Sequence, residues 1–314
     1  MEKARVGVGY KSLTGSETAF VRPDARFSTA SVFKIFVLVD FFRRCLERNL
    51  DPDTRVPLKD ADRSPGSGVL QYLGEGAALR LRDYGRLMMI ISDNTAADVL
   101  FDYLGPDSVA DTVSWLGLEN TVVKSGCKDI LTYEQGTAEV KRKLGLLGLD
   151  SRRLDRQEAL ALLRKNIHRL SGVRPLKELE ASLSDEERKA PSNKFCEDDL
   201  TSPRDLITTL ERVYSERVLG KFTGEFLDIM AMCETGLNRI RRGIPRDAML
   251  AHKTGTVRGV VNDAGIVIRG REAYALVVLV NGIQAGASGG CVRKGEKIIA
   301  DISAMAWKAE KARS

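Results

Sequence analysis

The pattern of apolar and polar positions divides the chain into strand-like ends and a helical middle. Residues 4–10 and 17–22 are apolar or alternating over strand length and flank a turn at Leu13-Thr14-Gly15-Ser16, which predicts paired strands. Near the other end, 249–257, Gly265-Ile266-Val267-Ile268 and Ala273–Val280 read as three more strands. The polar run Arg269-Gly270-Arg271-Glu272 supplies the turn between the last two. A closing helix fits 296–311. Strands at both ends imply one sheet built from both termini, with helices as its covering layer.

The middle carries the helical signals. Residues 31–47 are apolar around almost the whole circumference until Arg43-Arg44, which predicts a helix buried nearly all round. Residues 82–91 and 94–104 predict two helices with Ser92-Asp93-Asn94 on the connection between them. Thr201-Ser202-Pro203 opens a further helix with capping side chains and a proline at its first position, running to about Leu219. Residues 134–194 differ from their surroundings. They are highly charged and helix-prone, as over Asp155–Leu170, and end in the polar stretch Ser184–Asn193. They read as an added helical segment with a mobile connection.

Composition narrows the picture. At 314 residues and 43% hydrophobic content the chain is expected to fold around a substantial core. No apolar run reaches the ~18 residues that a membrane span requires. The formal charge of +6 is spread among 43 acidic residues, with no basic run interleaved with aromatics, so a solvated surface is expected rather than a nucleic-acid partner. Met1-Glu2-Lys3-Ala4-Arg5 leads straight into the first strand with no apolar signal-peptide core, which fits either a cytosolic protein or a leader outside this numbering. The five cysteines, Cys45, Cys127, Cys196, Cys233 and Cys291, form no C-x-x-C pair, so no zinc site is expected. His168 reads as a surface residue, and His252 as one packed beside its strand.

Three short motifs carry chemistry. In Ser31-Val32-Phe33-Lys34 one helical turn stacks the lysine beside the serine. An amine in so apolar a helix is disfavoured as the ammonium, making Lys34 a candidate general base for a Ser31 nucleophile. Ser92 can relay a proton and Asn94 can hold the lysine and a substrate carbonyl, while Asp93 suits a helix cap. Lys253-Thr254-Gly255-Thr256 lies on a predicted strand. Lys253 offers a positive charge for a substrate carboxylate, Thr254 and Thr256 add hydroxyls, and Gly255 permits close approach. The backbone N–H groups of Ser31 and Thr256 are candidate oxyanion donors. Each motif alone is weak. Their order, S-x-x-K then S-D-N then K-T-G, is specific.

With these residues and their flanks, the chain resembles class A serine β-lactamases and their penicillin-binding relatives. The likeness runs through Arg26–Lys34, Tyr84–Leu100, Thr201-Ser202-Pro203, Thr235–Pro245, His252–Gly255 and Asn262-Asp263, and covers about 1–125 and 197–310. It implies an α+β, β-lactamase/transpeptidase-like fold: an antiparallel sheet of about five strands flanked by helices, plus an all-helical part. A single catalytic domain over 1–314 is expected. In it, 1–30 and 220–314 form the α/β part, 31–219 the mainly helical part, and about 128–196 an inserted segment enlarging the Ω-loop region. The implied activity is hydrolysis of a β-lactam amide through an acyl-enzyme on Ser31, without a metal or organic cofactor. A small-molecule substrate, β-lactam or peptidoglycan-like peptide, and a monomeric protein go with it, as does a periplasmic or secreted location. Arg258 is a further candidate for the carboxylate site. Rival readings are a D-Ala-D-Ala peptidase or esterase with slow deacylation, and a non-catalytic binding module on the same fold. The chain is several dozen residues longer than its relatives where they carry the glutamate that activates the deacylating water. Counting forward from Ser92 reaches Lys128 and Asp129. Counting back from Thr201 reaches Glu186 and Glu187, and Glu180 begins a partial likeness to the expected motif. A Cys127–Cys196 disulfide fastening the two stems of the insertion is a further expectation.

Overall fold

The computed structural model describes residues 4–133, 137–171, 199–215, 217–283 and 290–312. The predicted sheet is present. Strands β1 (Arg5–Ser12) and β2 (Thr18–Val21) join β8 (Met249–Val257), β9 (Val260–Arg269) and β10 (Glu272–Asn281) in the order β2-β1-β10-β9-β8, antiparallel throughout. The first strand therefore lies beside the last, Arg5 opposite Asn281 and Ser12 opposite Tyr274. The fold is α+β, as the resemblance implied.

β10 is buried on both faces, because its apolar side chains alternate between two cores. Ala275, Val277 and Leu279 point to the helical side. Tyr274, Leu276, Val278 and Val280 point to the other, which the C-terminal helix Gly290–Lys311 covers with Ile299 and Ile302. The helical side is dominated by α1 (Lys34–Leu46), where Lys34 through Phe42 and Cys45 are all buried. Each fully buried apolar side chain contributes roughly 1.5–3 kcal/mol. Seven such residues on α1 comfortably offset the several kcal/mol that burying one amine costs. That balance lets α1 hold Lys34 fully buried without a carboxylate partner among the described residues.

The helices follow the sequence with local departures. α2 (Leu81–Ile90) and α3 (Asn94–Leu104) match the predicted pair, and the Asp93 side chain caps α3 by accepting from Ala96 N at 2.9 Å. The helix expected over 31–47 begins later. Ala30–Phe33 form a 3-10 turn and regular α-helix starts at Lys34, so Ser31 lies just ahead of α1 rather than in its first α turn. The helix opened by Ser202, Pro203–Tyr214, stops five residues short of the expected end, and Ser202 caps it by accepting from Asp205 N.

The segment expected to be an insertion is helical where it is described. Helices Cys127–Tyr133, Thr137–Leu146 and Arg156–Asn166 follow one another. The last two share a small core of their own through Val140, Leu144, Leu160 and Leu163. An Asp129–Arg164 ion pair links the first of these helices to the third. The predicted helix ends at Asn166, and Ile167–Leu170, which includes half-buried His168, continue as a 3-10 turn. The expected mobile connection at 184–193 lies outside the described residues, as do Glu180, Glu186, Glu187 and Cys196. No described helix is long and apolar enough to cross a membrane.

Candidate active site

Three segments distant in sequence meet at Lys34. The first is the 3-10 turn with Ser31. A small sheet, β3 (Phe27–Ser28) with Asp199–Thr201, fixes its entry. Thr29 donates to the Asp199 carbonyl through both N–H and hydroxyl, at 3.0 and 3.2 Å. From the large sheet, Asn262 Nδ2 donates to the carbonyls of Ser28 (2.8 Å) and Thr29 (3.1 Å). Ala30 then takes the left-handed region, φ +43°. These ties hold the turn from both sides.

The second segment is the α2–α3 connection. Ser92 also lies in the left-handed region, φ +56°. Four non-glycine residues do so among those described, and two of them, Ala30 and Ser92, flank Lys34. Such conformations persist where surrounding contacts over-determine them. Here they turn the Ser92 carbonyl and hydroxyl toward Lys34. Lys34 Nζ lies 2.8 Å from Ser92 O, 2.9 Å from Asn94 Oδ1 and 3.2 Å from Ser92 Oγ. The carbonyl and the amide oxygen accept without donating, so they use two N–H bonds. A neutral amine would keep its lone pair for a third partner.

The third segment is the edge strand β8. Lys253 Nζ lies 2.9 Å from Ser92 Oγ and 2.9 Å from Thr254 O. The Ser92 hydroxyl thus stands between two fully buried amines. When both donate to its lone pairs, its own proton is directed outward. Burial, reinforced by the neighbouring Lys34 charge, lowers Lys253 to about 7. Gly255 lets β8 close on the turn that carries Ser31. A Cβ there would stand 2.7 Å from Thr29 O and 3.2 Å from Ser31 N.

The structure thus brings Ser31, Lys34, Ser92, Asn94, Lys253, Thr254, Gly255 and Thr256 into one neighbourhood. Two contributors escaped the sequence reading. Arg239, quoted only within a longer run, reaches the third motif: Nη1 donates to Gly255 O (3.2 Å) and Asn262 O (2.8 Å), Nη2 to Thr256 Oγ1 (2.5 Å). Arg258 lies in the turn between β8 and β9. The other is the loop Ser64-Pro65-Gly66-Ser67-Gly68. Ser67 donates to Ser92 O (2.7 Å), Asn94 Nδ2 donates to Pro65 O (2.9 Å), and Asp93 accepts from Val69 N and Leu70 N. Gly68, at φ +104°, passes so close to Asp93 that a Cβ would overlap it. The signal was the Pro-Gly-Ser-Gly run itself, a turn signature that the charge-bearing motifs overshadowed.

On the remaining side of Lys34 lies the start of helix Cys127–Tyr133. Asp98, wholly buried and pushed up by burial, accepts from the Ser64 hydroxyl and from the N–H groups of Cys127 and Lys128. This seats the Cys127 thiol against Lys34. Burial pushes that thiol up to about 12. Cys127 is free, and its expected partner Cys196 is outside the described residues. The Lys128 ammonium donates to Ala61 O at 2.7 Å, and the Asp129 carboxylate is engaged by Arg164. His252, as expected, packs beside its strand, with Nδ1 2.8 Å from Asp263 Oδ1.

The chain is similar to known proteins along most of its length. It is 31% identical over 197 residues to Beta-lactamase L2 of Stenotrophomonas maltophilia, a match covering 55% of this chain and 65% of that relative, slightly under two thirds of its length. Among solved structures, a β-lactamase from Sphaerobacter thermophilus is 22% identical with a TM-score of 0.71, covering 98% of this chain and 91% of that one. PBP-A is also 22% identical with a TM-score of 0.71, covering 99% and 92%. A family model described as the beta-lactamase enzyme family matches residues 1–309, and the chain belongs to that family.

Proposed function

We propose that the protein is a serine hydrolase that opens β-lactam amide bonds through an acyl-enzyme on Ser31. The observation that carries this reading is the Ser92 hydroxyl held between the buried amines of Lys34 and Lys253, at 3.2 and 2.9 Å. Lys34 takes the Ser31 proton as the hydroxyl attacks the lactam carbonyl. The oxyanion forms against the N–H groups of Ser31 and Thr256. Ser92 passes its outward proton to the leaving nitrogen and is reprotonated from the amines behind it. Asn94 keeps Lys34 oriented. Lys253, Thr254, Thr256 and the adjoining Arg239 receive the substrate carboxylate, and Gly255 leaves room for it. In this reading the protein works as a monomer on a small molecule. The parts 1–30 and 220–314 frame the site with the helical part 31–219, and 128–196 is an insertion beside it.

A second reading, an acyl-enzyme released slowly as in a D-Ala-D-Ala peptidase or esterase, is favoured by the Cys127 side. There Lys34 meets a neutral thiol rather than a carboxylate among the described residues. A solved mutant of PBP-A is an acyl-enzyme complex with penicillin G, so this fold can hold such an adduct. The test is a chromogenic cephalosporin with wild type and Ser31→Ala. Colour that develops over many turnovers and vanishes in the variant supports the β-lactamase reading. Colour limited to one equivalent supports the slow-release reading, and none with either protein overturns both.

A further inference from the structure

Behind the third motif lies a row of titratable groups that the acylation chemistry does not use. Asp263 on β9 is fully buried and places Oδ2 3.1 Å from Ile240 N and Oδ1 2.8 Å from His252 Nδ1. His252, on β8 immediately before Lys253, stands beside the Cys233 thiol. Cys233 follows helix Thr223–Ala231 and keeps 8% of its surface exposed. Its Sγ lies 3.2 Å from Thr235 Oγ1, and that hydroxyl lies 2.5 Å from Thr254 Oγ1. A carboxylate, an imidazole, a thiol and two hydroxyls therefore run in series from the sheet interior to the substrate-facing strand. Among the described residues, no such group is disposed to hold a metal ion.

We propose that Cys233 is a peroxide-reactive thiol, activated by His252 and Asp263, whose oxidation disables the carboxylate-binding end of the site. The order Cys–His–carboxylate is the arrangement that activates a sulfur nucleophile. Burial opposes charge on His252, yet the Asp263 carboxylate outweighs it and raises the imidazole to about 10. Burial likewise opposes the thiolate, but the His252 contact and the nearby Lys253 bring Cys233 down to about 7. The other thiols with described side chains behave oppositely, since burial pushes Cys45 and Cys127 up to about 12. The thiolate is the reactive form.

In the step itself, the Cys233 thiolate attacks one oxygen of a hydroperoxide. An S–O bond forms and the O–O bond breaks. The departing hydroxide takes a proton, so the sulfur is oxidised to a sulfenic acid while the peroxide is reduced to water. The added oxygen lies beside Thr235 Oγ1. It competes for the hydroxyl that Thr235 shares with Thr254 and shifts Thr254 away from substrate. This last consequence rests on the proposed reading of the third motif; the reactivity of Cys233 does not.

The folded full chain is exposed briefly to hydrogen peroxide with dimedone at pH 7, and each cysteine peptide is quantified by mass. Cys233 is expected to label at least tenfold faster than Cys45 or Cys127, and His252→Gln is expected to slow it at least fivefold. Equal labelling of the three, or labelling indifferent to His252→Gln, overturns the activation. In parallel, Ser31 acylation by a cephalosporin is followed by mass before and after peroxide. It is expected to fall in step with Cys233 labelling, while Cys233→Ser keeps its own starting rate. Loss at the same pace in Cys233→Ser overturns the link to the site. Absence of acylation before peroxide counts against the proposed function instead, and leaves the labelling result to decide the thiol.

Discussion

The two sides of Lys34 are built differently. Toward the α2–α3 connection its amine meets Ser92 O, Ser92 Oγ and Asn94 Oδ1, all within 3.2 Å, and a loop from Ser64 to Gly68 braces those acceptors from behind. Toward helix Cys127–Tyr133 it meets a thiol, held there by backbone bonds to Asp98. The first side is a set of acceptors suited to moving protons. The second is a buried seam that fixes helix Cys127–Tyr133 onto the molecule. In the proposed reading, making an acyl-enzyme depends on the first side, and how fast it is released depends on what the second side offers to water.

Substitutions can separate the two. The largest effect is expected from Ser31→Ala, which removes the proposed nucleophile: covalent adduct should vanish and turnover drop by roughly 10⁴-fold or more, read by steady-state kinetics. Lys34→Met should follow, with about a 10²–10⁴-fold slower acylation, read by stopped-flow. On the other side, Asp98→Ala deprives the Cys127 and Lys128 N–H groups of their acceptor. It should cost about 3 kcal/mol of unfolding free energy in urea, with hydrogen exchange opening first at 127–133. If acylation fell as far in Asp98→Ala as in Lys34→Met, the separation of the two sides would be wrong. Arg239→Ala should raise KM about tenfold for substrates with a carboxylate and leave their kcat within about twofold.

The smallest effect is a pH slope. Lys253 falls from its ordinary 10.5 to about 7 in the folded protein, because of burial and then the Lys34 charge. Between those values the unfolded chain holds a proton that the folded chain has released, so this group makes stability rise with pH. Below about 7 both states bind the proton and the penalty is complete. His252, raised to about 10, works in the opposite direction over much of the same window. The difference between wild type and Lys253→Met isolates the lysine. Wild-type stability should climb faster by up to about 1.4 kcal/mol per pH unit between pH 7 and 9. Parallel slopes would mean that Lys253 does not change its charge there.

The same division decided what could be read in the sequence. The first side consists of short contiguous motifs on strongly patterned elements: a largely apolar helix behind Lys34, two amphipathic helices around Ser92, and an edge strand carrying Thr254-Gly255-Thr256. Their side chains could be assigned to one site because each motif carries its own geometry. Ser31 was misplaced by a fraction of a turn, since nothing local distinguishes a 3-10 entry from an α one. Arg239 went unassigned because its guanidinium crosses to β8 through a tertiary contact with no spacing rule. The second side has no such grammar. Asp98 looks like any polar residue on a helix, yet it organises Ser64 and the Cys127-Lys128 pair from two separate stretches. Counting forward from Ser92 did reach this seam at Lys128, where the sequence reading sought a glutamate.

The most direct measurement follows the intact mass of the protein through the first seconds after mixing with a cephalosporin, with the modified peptide mapped. An adduct of one substrate equivalent is expected on the peptide containing Ser31, formed quickly in wild type, slowly in Lys34→Met and not at all in Ser31→Ala. An unmodified mass in wild type, or an adduct on any other residue, would contradict it.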